Sequence, residues 1–141
     1  MTENNQLDFW THLLHLDGFR VISLRQDTPQ DPVCLTLVPS PALDLCPLCH
    51  RLCDTIHSRR DSHAIKDLPA CGQDVNLIFR AFQFECQSCH RFFTSRTPTG
   101  SHGAHATERF LAYAASLIRI SDIRNAAAFL HVPESTLQDW Y

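Results

Sequence analysis

"FECQSCHRFF", residues 84–93, places two cysteines three positions apart, with one phenylalanine before them and two after. A C-x-x-C pair is compatible with a redox site, with half of a disulfide framework or with half of a metal site. A structural zinc ion takes four protein ligands, so this pair alone cannot complete such a site. The remaining ligands would have to come from another part of the chain.

A second pair with the same spacing lies upstream in "CPLC", and 36 residues separate the two pairs. Each C-x-x-C loop can place two thiolates on one edge of a tetrahedron, at about 2.3 Å from a metal ion. Strands between the pairs would bring the two loops together. The spacing therefore predicts a zinc ribbon whose ligands are Cys46, Cys49, Cys86 and Cys89.

Other side chains near these pairs leave the ligand set open at this point. Cys53 and His57 follow the first pair closely, and His50 and His90 each stand directly after a pair, so a Cys3His set is an alternative. The simpler interpretation of the two adjacent histidines is that they are exposed. Spacing alone also leaves iron as an alternative to zinc. A redox role is disfavoured because no helical pattern follows either pair.

Composition and charge narrow the class of protein. The chain has 141 residues, 44% of them hydrophobic, as expected for one ordinary domain or two small ones. Seven cysteines, an odd number, and an amino terminus without a signal-peptide pattern favour a reduced, cytoplasmic protein with no membrane span. The net charge of -3 argues against bulk coating of nucleic acid. Residues 46–96 nevertheless carry a balance of +2, which places any anion-binding surface in the middle third.

Periodicity predicts an α+β fold in four segments. A short amphipathic helix over 7–16 precedes a hairpin of "FRVISLR" and "VCLTLVP" around the turn-rich "QDTPQDP". "NLIFRAFQFEC" reads as a strand that enters the second cysteine pair. The predicted segments are an N-terminal helix and hairpin over 1–45, a zinc ribbon over 46–96, a linker over 97–107 and a helix-turn-helix over 108–141.

The last segment has a helical pattern in three parts. Helices are predicted over 110–119 and 122–130, with a third opening at Glu134, and Thr107 and Ser121 are the candidate N-caps. The aromatic side chains of the middle segment are predicted to cover the metal loops as a small core, with base stacking as the alternative. They are Phe79, Phe82, Phe84, Phe92 and Phe93.

Several of these motifs together resemble a known family. "CPLC", "HSRRDSHAIKDLP", "FQFECQSCHRFF" and a helical pair ending in "STLQDW" occur in this order, and the chain resembles, over about residues 19–141, the amino-terminal region of insertion-sequence transposases of the ISL-three type. In that family a zinc-binding domain precedes a helix-turn-helix and a catalytic domain of the DDE, ribonuclease-H-like class. The resemblance makes the four cysteines zinc ligands, and it matches a family strand and turn to Arg59, Arg60, Lys66, Asp67, Leu68 and Pro69.

The chain also departs from the family pattern. His50 stands where a glycine is usual, although histidine tolerates positive φ better than most residues, and His63 replaces a usual arginine. The catalytic carboxylates of the DDE domain have no counterpart in the sequence. We therefore expect a binding protein rather than an enzyme, either a truncated or split transposase or an independent module.

The resemblance implies zinc-dependent binding of double-stranded DNA at transposon terminal inverted repeats, in a cytoplasmic, nucleoid-associated protein. A second copy of the chain and a separate catalytic transposase chain are further candidate partners. A protein-interaction module and a four-thiolate iron electron carrier are the alternative functions. Basic side chains of the middle segment, Arg51 and Arg96 among them, would contact phosphates. Polar side chains of the helix that opens at Glu134 would enter the major groove. The DNA-contacting candidates are Arg59, Arg60, Lys66, Arg80, Arg91, Ser135, Thr136 and Gln138.

Overall fold

The computed structural model describes residues 3–95 and 105–140, so Arg96 and most of the predicted linker lie outside the described ranges. The described part is an α+β fold with a mixed sheet and four helices, which confirms the predicted class. Its elements are α1 (Glu3–Leu14), β1 (Phe19–Arg25), β2 (Val33–Pro39), β3 (Asp44–Leu45), β4 (Leu52–Cys53), β5 (Ile56–Asp61), β6 (Ile65–Ala70), β7 (Gln73–Glu85), β8 (Phe92–Thr94), α2 (Glu108–Ile120), α3 (Ile123–Leu130) and α4 (Glu134–Trp140).

The predicted amino-terminal helix and hairpin both form, although α1 begins four residues before the predicted start at 7 and ends two before the predicted end at 16. β1 and β2 pair antiparallel, and α1 packs against them with the buried Leu14. The Thr11 side chain links the two elements, because its hydroxyl oxygen accepts a hydrogen bond of 2.9 Å from the Val21 backbone N–H. Val21 and Leu37 face the helix, so the hairpin buries one face in the first core.

The 13-residue strand β7 organises the sheet. Its first half lies between β2, which runs parallel to it, and β6, which is antiparallel. Its second half lies between β5 and β8, both antiparallel. The parallel pairing of Val33 with Val75 and of Leu37 with Phe79 joins the amino-terminal hairpin to the strand that carries the second cysteine pair. The sheet therefore runs across the predicted segment boundary between residues 45 and 46.

β7 contributes to two cores, because the positions that it buries change from odd-numbered residues in its first half to even-numbered residues in its second half. Val75, Leu77 and Phe79 are buried in the first core with α1. Phe82 and Phe84 are buried at the other end of the sheet, beside the two cysteine pairs, which we call the metal end because of the site predicted there. Side chains alternate between the faces of a strand, so the change from odd to even numbers means that the two halves bury opposite faces. The prediction that Phe79 covers the metal loops is wrong, since its ring packs on Phe19 with centroids 5.6 Å apart.

The three C-terminal helices form a core of their own around Phe110, Leu130 and Leu137. Thr107 caps α2 as predicted, because its side chain accepts a hydrogen bond from the Phe110 N–H. The predicted cap Ser121 is wrong. Asp122 caps α3 by accepting from the Asn125 N–H at 2.7 Å, and Ser121 ends α2 instead. A carboxylate one residue later satisfies the free N–H groups of the first turn.

The helical core is joined to the sheet at β6. The Lys66 N–H donates to the carbonyl of His105, and the Thr107 N–H donates to the carbonyl of Lys66, both at 2.9 Å. Beside them the buried Asp67 accepts hydrogen bonds of 2.8 Å from the Thr107 hydroxyl and from Arg109 Nε. Within the described ranges no helix is long and apolar enough to cross a membrane.

Candidate metal centre and basic surface

The first cysteine pair sits in a tight loop between β3 and β4. The Cys46 N–H donates to the Arg51 carbonyl at 2.9 Å, and the His50 N–H donates back to the Cys46 carbonyl at 2.9 Å. These two bonds close the loop and leave the backbone of its centre facing the sulfur atoms. His50 has φ of 61°, in the left-handed region, which histidine adopts more readily than most residues other than glycine.

The second cysteine pair repeats this geometry between β7 and β8. The Cys86 N–H donates to the Arg91 carbonyl at 2.9 Å, and the His90 N–H donates to the Cys86 carbonyl at 2.8 Å. His90 has φ of 58°, so both loops place a histidine where the backbone turns left-handed. We name the two loops, residues 46–51 and 86–91, the knuckles.

The two knuckles bring four sulfur atoms together. The ligand atoms of Cys46, Cys49, Cys86 and Cys89 all lie within 4.8 Å of one another. Across the knuckles, the Sγ atoms of Cys46 and Cys89 are 3.6 Å apart, and those of Cys49 and Cys86 are 3.4 Å apart. A tetrahedral ion with sulfur at about 2.3 Å needs sulfur pairs about 3.8 Å apart. The four cysteines therefore form a group that can hold a metal ion.

The backbone of each knuckle favours a thiolate on its first cysteine. The hydrogen bond from the Cys89 N–H, opposed by burial, lowers the pKa of Cys86 to about 6. The Cys49 N–H acts in the same way to lower the pKa of Cys46. Metal ligation requires deprotonated sulfur, so these donors favour the ligating form of Cys46 and Cys86.

The second cysteine of each knuckle titrates in the opposite direction. The Arg91 N–H would lower the pKa of Cys89, but burial and the neighbouring sulfur atoms of Cys46 and Cys86 outweigh it and raise the pKa to about 11. In the absence of a cation, four clustered sulfurs cannot all carry charge. A divalent ion at their centre would remove this repulsion.

The alternative ligands stay outside this group. In the described ranges the four cysteines are the one set of three or more metal-ligating side chains, so His50, His57 and His90 do not join it. The ring of His57 packs on Phe92 with centroids 4.6 Å apart. Cys53 is buried beside the cluster, and its thiol donates to the Arg51 carbonyl at 3.5 Å. Burial and the Cys86 sulfur raise its pKa to about 11.

Aromatic rings cover part of the metal end. Phe82 and Phe84 are buried, and the rings of Phe84 and Phe93 lie 5.7 Å apart. Phe92 differs from the prediction, since 47% of it is exposed. The core of the metal end therefore depends on two buried phenylalanines and the sulfur cluster itself, which is a small apolar volume for a folded unit.

Two of the candidate DNA-contacting arginines lie on β5 with their side chains in solvent. Arg59 and Arg60 are both exposed, and none of the ion pairs found in residues 3–95 and 105–140 involves them. The Arg59 guanidinium lies 5.7 Å from the centroid of the Phe82 ring, and this cation–π contact orients it on the buried core of the metal end. Among the strands of residues 3–95 and 105–140, β5 pairs with β7 alone, so it forms an edge of the described sheet at the metal end.

The other candidate bases divide into two groups. Arg80 is bound to Asp61 through bonds of 2.8 and 3.2 Å, which hold the pKa of that carboxyl below its ordinary value. Lys66 is half-buried, with its ammonium 5.8 Å from the centre of the Phe110 ring. Arg51 and Arg91 are exposed at equivalent ends of the two knuckles. Asp61 therefore neutralises Arg80, and burial limits the access to Lys66, whereas the knuckle arginines present exposed charges.

The predicted groove-reading residues lie on α4. Leu137 is buried in the helical core and fixes the helix, while Ser135 and Gln138 are exposed. Thr136 is half-buried, so the structure brings two of the three predicted side chains to the surface. α3 and α4 are separated by a turn over 131–133, in which His131 ends α3 with φ of 57°.

No sequence pattern indicates the link between Asp67 and Arg109. Arg109 forms an ion pair with Asp67 and donates a further hydrogen bond to the Leu14 carbonyl, so a single side chain joins α1, β6 and α2. The three elements are distant along the chain, and no local spacing indicates that they meet.

No protein-family model, curated protein or solved structure matches this chain. A function therefore has to be argued from its own residues.

Proposed function

We propose that the chain is a zinc-dependent DNA-binding module related to the amino-terminal region of insertion-sequence transposases of the ISL-three type. Its zinc ribbon would span 46–96 and its helix-turn-helix 108–141, with transposon-end DNA as the ligand. One observation carries the proposal. Two knuckles of equal geometry hold four sulfur atoms at metal-binding spacing, directly beside an edge strand with two exposed arginines.

Zinc suits the four-cysteine group in charge and in shape. Four-coordinate thiolate sites with tetrahedral spacing are typical of structural zinc, and here protein sulfur fills every position. A site closed in this way leaves no position for an activated water molecule. The metal would therefore hold the fold together and would take no part in a reaction, and the proposal assigns strand cutting and joining to a separate catalytic domain or chain.

The edge strand β5 is the proposed phosphate contact. Arg59 and Arg60 extend from a strand that, in the described part of the chain, is paired on one side with β7, and the Arg59 guanidinium packs over the buried Phe82 ring. Arg51 and Arg91 add exposed charge at the adjacent knuckles. Phosphate contacts of this kind position a protein on the duplex without reading sequence. With few phosphates neutralised, binding should be weak and steeply salt-dependent.

The helices are the proposed source of sequence preference. A three-residue turn between α3 and α4 is the connection expected in a helix-turn-helix, and α4 would be the recognition helix. Gln138 is exposed there and can make the paired hydrogen bonds that favour adenine. Glu134 and Asp139 are exposed on the same helix and would repel phosphate, so we expect α4 to contribute specificity more than affinity.

A second candidate function is the docking of another polypeptide at the metal end. The leucines around the first knuckle are unusually exposed, with Leu48 at 58% and Leu52 at 67%, and Leu45 lies opposite Leu52 across β3 and β4. Contiguous exposed apolar side chains often mark an interaction surface. An absence of salt-dependent DNA binding would favour this candidate. A coloured protein with bound iron would favour the electron carrier.

We expect the double variant Arg59→Ala, Arg60→Ala to bind inverted-repeat DNA more weakly than the unaltered chain. Removal of two phosphate contacts should also make the slope of log affinity against log salt shallower by about 2. Fluorescence anisotropy with labelled duplex at several salt concentrations measures both quantities. The matched control is Arg20→Ala, Arg25→Ala, which removes the same charge from β1 at the far edge of the sheet. Equal slopes for the two variants would contradict the proposed phosphate contact.

We expect Gln138→Ala to reduce the preference for the native repeat over a scrambled duplex by about 1–3 kcal/mol, because a paired base contact is lost. Affinity for the scrambled duplex should stay the same, since Gln138 carries no charge. Competition binding with the two duplexes measures the ratio. Gln30→Ala, an exposed glutamine in the turn between β1 and β2, is the control. An unchanged ratio would remove α4 from sequence recognition.

A further inference from the structure

A small cavity opens beside the metal centre. It has a volume of about 240 Å³, and its walls include Arg51, Asp54 and the side of the second knuckle. Of the cysteines in the described part of the chain, Cys53 and Cys86 alone line it. A cavity of this size admits a few water molecules or a small hydroperoxide. One candidate ligand and one additional cysteine therefore line the same opening to solvent.

Cys53 is a thiol that the four-ligand site does not use. It lies outside the group of mutually close sulfur atoms, yet it is packed in the same buried cluster as Cys46 and Cys86. Its strand partner across β3 and β4 is Asp44, so the backbone holds it in place next to the first knuckle. Only 4% of the residue is exposed, and the cavity is its route to solvent.

We propose that Cys53 and Cys86 form an oxidation site at which a small hydroperoxide converts the two cysteines to a disulfide and opens the metal centre. The inference rests on the proposed function in one respect, which is that the four-cysteine group is loaded with zinc in the reduced chain. Beyond DNA binding, it makes the metal content of the four-cysteine group depend on oxidation.

The reaction balances in two steps with hydrogen peroxide as the oxidant. The Cys86 sulfur attacks one peroxide oxygen, the O–O bond breaks, and the leaving oxygen takes a proton to become water, which leaves Cys86 as a sulfenic acid. The Cys53 sulfur then attacks Cys86, the S–S bond forms, and the sulfenic oxygen leaves as a second water. The two cysteines lose two electrons, the Cys53 thiol gives up one proton and solvent supplies the other because the ligating Cys86 is already deprotonated, and the peroxide is reduced to water.

Cys53 is favoured as the second thiol because it is not a ligand. Cys46 and Cys89, and likewise Cys49 and Cys86, are close enough to react with each other, at 3.6 and 3.4 Å. In the loaded site, however, each of these disulfides would remove two ligands at once. A bond between Cys86 and Cys53 removes one, and three sulfurs remain on Cys46, Cys49 and Cys89. Affinity for the metal then falls, because a structural zinc site needs four ligands.

The test uses the full chain loaded with zinc and treated with hydrogen peroxide. We expect zinc release, followed with a chromogenic chelator, to accompany a mass loss of about 2 Da, and peptide mapping to place the disulfide between Cys53 and Cys86. In Cys53→Ala we expect this disulfide to be absent and Cys86 to proceed to the sulfinic acid, which a thiol reductant does not reverse, so that reduction restores zinc binding in the unaltered chain but not in the variant. Cys34→Ala, a half-buried cysteine on β2, is the matched control and should behave like the unaltered chain.

Two results would overturn the inference. One is a disulfide map that contains only pairs among the four ligands, and the other is a Cys53→Ala chain that recovers zinc binding on reduction as fully as the unaltered chain does. Zinc content before oxidation, together with a far-ultraviolet spectrum, shows whether each variant is folded and loaded. Absence of zinc from the reduced chain contradicts the proposed function, whereas a loaded chain with the wrong disulfide contradicts only the oxidation site.

Discussion

Cys86→Ser is expected to abolish stoichiometric metal binding and to unfold the metal end, while the first core and the helices stay folded. Structural zinc contributes apparent binding free energies of about 10–16 kcal/mol in small domains, and this energy becomes folding energy because the site exists only in the folded state. The metal end has little else to replace it. Its buried cluster consists of Val38, Phe82, Phe84 and three cysteines, two of which are ligands.

Metal content and amide hydrogen exchange measure this effect. We expect protection to be lost over β3, β4, β5 and β8, and to persist over α1, β1 and β2, whose core contains no ligand. Chelation of the unaltered chain under reducing conditions should give the same pattern. Cys71→Ser is the control, because Cys71 is exposed in the turn between β6 and β7 and lies outside the cluster. If Cys86→Ser kept one equivalent of metal and full protection, the four-cysteine site would be refuted.

Asp67→Ala is expected to lower the free energy of unfolding by about 3 kcal/mol, because it leaves the Arg109 guanidinium without its partner. Asp67 is 1% exposed, whereas 32% of the Arg109 side chain reaches solvent, so we place the loss at the lower end of the range for broken buried pairs. The Thr107 hydroxyl also loses its acceptor. Urea denaturation followed by circular dichroism measures the change.

Asp61→Ala is the matched control for this variant. Asp61 also pairs with an arginine, Arg80, but the side chains are 47% and 35% exposed, and an exposed pair contributes about 0–1 kcal/mol. A double-mutant cycle with Arg109→Ala should recover most of the Asp67 effect as a coupling energy. Equal losses of unfolding free energy for Asp61→Ala and Asp67→Ala would show that the buried pair stabilises the fold no more than the exposed pair does.

The pair of Asp67 and Arg109 matters to the proposed function because it holds α2 on β6. It thereby sets the orientation of the helices relative to β5, which carries Arg59 and Arg60.

Local spacing in the sequence was enough to predict much of this molecule. The two C-x-x-C pairs predicted a four-sulfur group, and the described structure brings those four side chains together. Alternation predicted the hairpin, and helical periodicity predicted α2, α3 and α4 within a few residues. Thr107 was found as a cap because an N-cap depends only on the residues of the first turn. The same local reasoning failed by one residue at Ser121, where serine and aspartate stand side by side and either can accept the bond.

The tertiary structure alone decided how these pieces meet. The parallel pairing of β2 with β7, the change of buried face along β7 and the joining of three elements by Arg109 all involve residues far apart in the chain. It also decided which charges are available, since Asp61 neutralises Arg80 but leaves Arg59 and Arg60 in solvent. A side chain's helical or strand preference depends on its near neighbours, and the sequence records those directly. Long-range pairing depends on which surfaces bury the most apolar area together, and that becomes defined only when the whole chain has folded.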